Sequence, residues 1–387
     1  MALAVLFALM PAFAVGGVMG LPVLVTLAGW AGSRLSLFRT LTEKRPIFIG
    51  LLATFVVWLA ITSLWSPGPA LRQALMVASL IATGVVVASI ASGVGARIAH
   101  AGSIATVGVL VILLTIEATT PLLLNQTAQP DEPAGELLRN LMRANSFLVT
   151  MVWGATGALL LLGGRIWVAA AVVTGGAVAV LSAQFGQNAN AVAFTAGLIA
   201  FAAGYAAPRL ALWAATGGLA LWLLAAPVLT PLLLSNSALV DALPLSWAMR
   251  EGMWAYTIDR IWEQPLFGHG LEASRTVNEI IYVRGMEADA MTNHPHNASL
   301  QIWFELGAVG ALIGVALLLV GARWLTRAYG ERRIAAAAAC GTLAAAGVIA
   351  NVSFSAWAEW WVVTLFVAAG VVGAIGAQEK PATRAFS

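Results

Sequence analysis

The stretch His294-Pro295-His296-Asn297-Ala298-Ser299-Leu300-Gln301-Ile302-Trp303-Phe304-Glu305-Leu306-Gly307 begins polar and runs straight into the apolar segment Ala308 to Val320. That junction decides the fold class. From Ile302 to Ala322 the run reaches about the 20 residues that a helix needs to cross a bilayer. The same signature recurs along the chain, at 47–65, 73–93, 102–120, 147–163, 166–182, 190–207, 210–228, 335–352 and 360–376. Met1–Ala31 is broken by Pro11 and Gly16-Gly17 and reads as two short passes. The expected architecture is an all-α polytopic membrane protein of about twelve transmembrane helices. Its parts are an N-terminal bundle over 1–228, an outer loop over 229–301, and C-terminal helices with a tail over 302–387.

Composition points the same way. Hydrophobic residues make up 60% of the chain, charged residues 10%, and mean hydropathy is +0.89, whereas a soluble domain carries roughly 25% charged residues. Ala, Gly and Leu runs without alternation argue against a β-barrel. The first residues lack a basic segment and a cleavage site followed by a polar start, so they read as structure rather than as a signal peptide. The single Cys340 builds neither a disulfide nor a thiolate metal site and reads as a small core residue.

Basic residues set the orientation. Arg34, Arg39, Lys44 and Arg45 fall in one short loop and Arg323, Arg327, Arg332 and Arg333 in another. With Arg97, Arg165, Arg209, Lys380 and Arg384 they place 13 of the 20 basic residues on one side when the spans alternate. That side is expected to be cytoplasmic, which leaves 118–146 and 229–301 outside. The pI near 9.4 then follows from topology, and no nucleic-acid partner is implied.

The outer loop carries the chemistry. Trp247, Met253, Trp254, Ile258, Ile261 and Trp262 give it helical apolar spacing, so an amphipathic helix is expected over 245–264, lying at the membrane surface. Arg250 and Trp254 share one face of it, four residues apart. Pro265 stops the helix and Gly268-His269-Gly270 makes a turn. The outer side offers Arg143, Arg250, Arg260, Arg275 and Arg284 together with His269, His294 and His296. Guanidinium forks suit phosphate oxygens, and a neutral imidazole suits proton abstraction at pH 7. Each residue also has a plainer reading. His296 could cap the following helix or bond Asn297, Arg143 could snorkel, and Arg260 could pair with Asp259 or Glu263. His269 reads as a turn residue and Arg275 and Arg284 as solvated. Glu305 could orient His296, pair with an arginine or sit exposed at the rim. The amides of Ser182–Asn188 could bond sugar hydroxyls or form a wet turn. A zinc site on His294 and His296 would need more ligands, for which only Glu287 and Asp289 stand near in sequence. No metal and no cofactor are expected, and the chain has no Walker motif.

His296-Asn297 followed after nine residues by Gly307 resembles the signature of the O-antigen ligase family. Arg250-x-x-x-Trp254 and Pro265-x-x-Gly268-x-Gly270, in that order upstream, strengthen the resemblance. Trp58, Ser63-Leu64-Trp65-Ser66-Pro67, Arg143, Trp357, Trp360 and Trp361 add weaker matches. The resemblance implies a metal-independent, GT-C-like membrane glycosyltransferase of the bacterial inner membrane. Such an enzyme takes a glycan from undecaprenyl pyrophosphate at the periplasmic face and transfers it to a lipid A–core sugar. It further implies His296 as general base and Arg250, Arg143 and Arg260 as pyrophosphate ligands. His294, Asn297, Gln301, Trp254 and Glu305 are the supporting residues. A polymerase that uses the same donor and a growing glycan as acceptor is the alternative. A transporter for a polar lipid or solute is the rival from another class, and it would show ionisable residues at mid-span.

Overall fold

The computed structural model describes residues 1–34, 43, 45–235, 242 and 244–381. Arg39, Lys44 and Arg384, counted above in the orientation argument, lie outside the described residues. The described chain is almost wholly helical. Its elements are α1 (Ala2–Gly17), α2 (Leu21–Gly32), α3 (Pro46–Thr62), α4 (Ala70–Ser92), α5 (Ala96–Thr119), α6 (Leu123–Ala128), α7 (Ala134–Leu162), α8 (Arg165–Ser182), α9 (Asn188–Ala206), α10 (Pro208–Leu234), α11 (Leu245–Glu263), α12 (Ala298–Tyr329), α13 (Arg333–Val352) and α14 (Glu359–Gln378), with a hairpin of β1 (Ile280–Val283) and β2 (Met286–Asp289).

Ten segments among the described residues are long and apolar enough to cross a membrane, against the twelve expected. The difference has two sources. Pro46–Thr62 is apolar but only 17 residues long. The first 31-residue segment meets the length criterion as one piece, yet it is bent at Gly17, where φ is +153°. Its halves run in opposite directions. Thr106 of α5 donates to the carbonyl of Phe7 at 3.0 Å and Gln129, beyond the end of α5, to that of Gly16 at 2.7 Å, so α1 follows α5 upward. Gly29 abuts Thr83 and Gly32 abuts Ile90, so α2 descends along α4.

Helices α7, α13 and α14 form the buried centre, with α9 laid along α13 and α4 along α14. Small residues set the spacing, as expected where lipid offers no hydrophobic drive between helices. Ala335 to Ala339 are buried, and a Cβ on Gly204 would come within 2.8 Å of the Ala336 and Ala337 backbone. Trp153 fills the space over Gly197 and Gly341, where a Cβ would meet its ring at 2.4 and 2.9 Å. Cys340 sits buried in this layer.

The two ends of the bundle differ in chemistry. At one end the Arg45 guanidinium lies 3.9 Å from the centre of the Trp324 ring, Arg209 pairs with Glu331, and Glu379 caps the start of α13. At the other end gather residues 58–68, 265–276, 291–307 and 351–357, joined by the hydrogen bonds described next. The segregation agrees with the alternation read from the basic residues.

Candidate functional site

Helix α12 is kinked rather than straight. Gly307 has φ +65° and ψ −168°, a backbone region open essentially to glycine alone. The kink breaks the helical ladder, and the loop after α11 repairs it. His269 N–H donates to the Phe304 carbonyl at 2.8 Å and Gly270 N–H to that of Glu305 at 2.9 Å. Ala308 N–H returns to Pro265 at 2.8 Å and Val309 N–H to Leu266 at 3.2 Å. Trp58 Nε1 takes the Leu306 carbonyl at 3.0 Å, and Trp65 Nε1 takes that of Gly268 at 3.0 Å. The glycines of Pro265-x-x-Gly268-x-Gly270 are therefore close-approach positions. A Cβ on Gly268 would lie 2.6 Å from Glu305 and Gly307 backbone, and one on Gly270 2.6 Å from Ser66. His269 is a turn residue, stacked on Phe304 and bonded to the Arg260 carbonyl at 2.8 Å.

This arrangement yields a stability prediction. Gly307→Ala would set a Cβ 2.3 Å from the Leu266 carbonyl oxygen, a backbone atom that cannot swing away. Detergent-purified Gly307→Ala is expected to lose at least about 3 kcal/mol of stability, from strain and overpacking together. Gly321→Ala, with open space around it, is expected to melt within about a degree or two of the parent, since open surface substitutions cost little.

Above the kink the chain enters α12 through the two histidines. Asn297 is the N-cap, its side chain accepting from Leu300 N–H at 3.1 Å. His296 sits just before the cap with φ +53°. Its Nδ1 lies 2.5 Å from the Ser353 carbonyl. A carbonyl only accepts, so Nδ1 carries the proton and Nε2 of the neutral ring carries the lone pair. Thr292 Oγ1 lies 3.3 Å from that Nε2. His294 is in the opposite tautomer: its Nδ1 accepts from the His296 backbone N–H at 3.0 Å, which leaves Nε2 as a donor. The two rings meet edge to face at 4.3 Å. The pair thus presents one acceptor nitrogen and one donor nitrogen.

The surroundings of both imidazoles disfavour the charged form. Burial pushes His294 well below the ordinary histidine value, with His296, Arg275 and Arg250 adding in the same direction. Burial also lowers His296; the Ser353 carbonyl opposes this and Arg250 reinforces it. Arg250, on α11, is therefore the cation that both histidines feel. It donates to the Ser246 carbonyl at 3.0 Å, its guanidinium lies 5.5 Å from the centre of the Trp247 ring, and its buried Nε has no partner. Among the described residues it has no ion pair with a carboxylate. One turn on, Trp254 Nε1 donates to the Pro295 carbonyl at 2.8 Å and ties α11 to the histidine segment.

Glu305 is neither a rim residue nor a partner of His296 or of an arginine, contrary to the readings weighed from sequence. It is fully buried. One carboxylate oxygen accepts from Ser274 Oγ and from Gln301 Nε2 at 3.0 Å. The other accepts from Glu272 N–H at 2.9 Å and Trp357 Nε1 at 2.6 Å. Four donors satisfy the charge, as a buried carboxylate requires. Gln301 extends the knot, bonding Ser355 Oγ and accepting from Ala356 N–H at 2.9 Å. Beside it, Glu272 is raised to about 7, by burial first and by Glu305 next, against the pull of Arg275. Arg275 bonds Glu272 rather than standing free in solvent.

The remaining sequence candidates separate. Arg260 is held by Glu263 at 2.9 Å, Glu279 at 3.5 Å and the Tyr256 hydroxyl at 3.2 Å, and none of these contacts reaches the histidines. Among the described residues Arg143 bonds Asn140, at 3.4 Å, and stands one turn before Ser146. Ser146 opens a buried chain through Asn190 and Gln187 to Ser353, the residue that holds His296. Of the amides of 182–188, Gln187 is taken up in this buried chain, Gln184 reaches the Val180 carbonyl at 3.4 Å, and Asn188 is exposed. Glu287 of the hairpin accepts from the Tyr282 hydroxyl. Among the described residues, no three His, Cys, Asp or Glu side chains are grouped as metal ligands. Sequence reasoning missed Ser353, Thr292, Glu272 and Ser274.

Residues 149–315 match the O-antigen ligase family model. The matched span takes in Arg250, Trp254, the loop 265–270, both histidines and the Gly307 kink; Arg143, Ser353 and Trp357 fall outside it. A Rickettsia conorii protein named as a candidate polysaccharide ligase is 29% identical over 121 residues, which is 30% of this chain and 29% of the relative. A Rickettsia typhi protein of the same description is 28% identical over 123 residues, 31% of this chain and 30% of the relative. The aligned part thus spans under a third of these relatives' length. Over 149–315 the chain is thus similar to the O-antigen ligases, and its apolar helices mark a multi-pass membrane protein.

Proposed function

We propose that the chain is a membrane glycosyltransferase that moves a glycan from an undecaprenyl-pyrophosphate carrier onto a lipid A–core sugar, with its site facing the periplasm. The observation that carries this reading is one juxtaposition. His296 has its Nδ1 proton fixed on the Ser353 carbonyl, and its Nε2 lone pair meets the Thr292 hydroxyl at 3.3 Å, a long contact that the acceptor hydroxyl would replace. Arg250, without a carboxylate partner among the described residues, stands one turn before Trp254, whose Nε1 bonds the Pro295 carbonyl next to His296.

In this reading His296 Nε2 takes the proton of the acceptor hydroxyl as the oxygen attacks the anomeric carbon. The bond from that carbon to the pyrophosphate oxygen breaks, and the leaving group departs with the electron pair. Arg250 neutralises the charge that develops on it, which is where fixed donors contribute most. His294 Nε2–H is a second donor for the same anion and Arg143 an outer ligand, whereas Arg260, paired with Glu263 and Glu279, takes no part. The kink knot around Glu305 holds both partners in place without touching the reaction. A cavity of about 720 Å³ beside the loop 265–270, lined by Trp58, Ile61, Trp65 and Phe267, suits an apolar chain. The chemistry as written needs no divalent ion.

A deletion strain tests the reaction. Loss of all long-chain lipopolysaccharide on a gel, with lipid-linked glycan accumulating, is the expected result. Caps of a single repeat would mean a polymerase instead, and an unchanged ladder would overturn the proposal. Topology has its own check. A reporter fused after Asp289 is expected to be active in the periplasm and one after Arg327 in the cytoplasm; the reverse pattern would turn the site inward and remove the donor from reach.

A further inference from the structure

We propose that the basic end of the bundle, opposite the histidines, carries a second binding site, for the headgroup phosphate of an anionic phospholipid. A cavity of about 610 Å³ opens there between the start of α10, the end of α12 and the start of α13. Arg209, Thr326, Arg327, Glu331 and Arg332 line it. Among the described residues that line it, three are arginines and one a carboxylate, Glu331, which pairs with Arg209 at 3.0 Å. Positive charge is left over.

The donors are unspent as well. Arg332 gives one amine to the Ala328 carbonyl at 2.8 Å, but its Nε is buried with no partner. Thr326 Oγ1 is likewise buried without a partner. Arg327 makes no ion pair among the described residues. The chain itself shapes the pocket. Arg209 lies across Gly330, where a Cβ would come 2.8 Å from its Cγ and push it away. A tetrahedral anion with several acceptor oxygens is the ligand that satisfies a fork, a lone N–H and a hydroxyl together.

The surroundings specify a lipid rather than a free anion. Leu210 and Trp213, beside Arg209 on α10, are 72% and 44% exposed. They offer an apolar face for acyl chains and an indole at the depth where headgroups sit. Basic pockets between helices at a membrane face recognise anionic headgroups by this combination.

The test uses the full chain, purified in an uncharged detergent and examined by native mass spectrometry. Phosphatidylglycerol is expected to remain bound where phosphatidylcholine is lost. Arg327→Gln/Arg332→Gln is expected to cut that retention about tenfold, the loss of roughly one charge-assisted contact pair. Arg327→Gln alone, an exposed change that leaves the fold intact, is expected to cut it several-fold. Arg165→Gln, at the same end but outside the cavity, is expected to retain the lipid. Equal loss in Arg165→Gln would reduce the effect to general surface charge and overturn the site. Equal retention of both lipids would overturn it too. Binding of glycerol phosphate as tight as that of phosphatidylglycerol would make it a free-anion pocket and overturn the lipid assignment.

Discussion

His296→Ala is expected to lose about 10²–10⁴-fold of transfer, the usual cost of removing a general base, while still binding the lipid-linked donor. The tautomers make the two histidines unequal. His296 offers a lone pair at Nε2 because its Nδ1 proton is committed to Ser353. His294 spends its lone pair on the His296 backbone N–H and has only a proton to offer. His294→Ala should therefore lose less, as a donor and spacer. The pH profile separates base from spacer. A base works only as neutral imidazole, and burial holds the folded His296 below 6.5. Activity should stay level through neutrality and fall as pH drops through a value below 6.5. An active His296→Ala beside a dead His294→Ala would mean that the proton goes to the other ring.

The spans were legible because length and apolarity alone mark them. What was harder to read lies where backbone does the work. Helix α7 begins at Ala134, well before the apolar run; its first turns carry Glu136, Arg139 and Arg143, so from sequence they read as an outer loop with a short helix rather than as the start of the span. The hairpin 280–289 carries no strong sequence signal; its tight turn is Arg284-Gly285, both at positive φ. Ile281 and Val283 pack it onto Gly252 of α11. Ser353 could not be found by residue type, since it holds His296 with a carbonyl that every residue owns.

Glu305 shows the limit from the other side. Next to a polar stretch a carboxylate reads as rim or partner, and only the loop folding back over the Gly307 kink buries it. The motif glycines were visible as a family pattern. Their reason, a loop lending hydrogen bonds to a broken helix, needed the geometry. Arg250 and Trp254 lie four residues apart on α11, a spacing that is legible because it survives whatever that helix packs against.

Arg250 allows the two parts of its proposed role to be separated by one pair of variants. Its side chain makes few contacts, to the Ser246 carbonyl and the Trp247 ring, so neither variant should unfold the protein. Arg250→Ala removes both the fork and the charge, and is expected to cost about 10²–10³ in rate, the scale for losing a donor aimed at a developing anion. It should also move the acid limb upward: Arg250 disfavours the imidazolium of His296, so its loss raises that pKa and activity falls at a higher pH. Arg250→Lys keeps the charge but not the planar fork. Its acid limb should stay where the parent's is, while donor use remains impaired at least about tenfold. A lysine variant with normal transfer would show that the site needs only a positive field. An alanine variant with normal rate and an unmoved limb would make Arg250 an anchor of α11 and leave the leaving group without a partner.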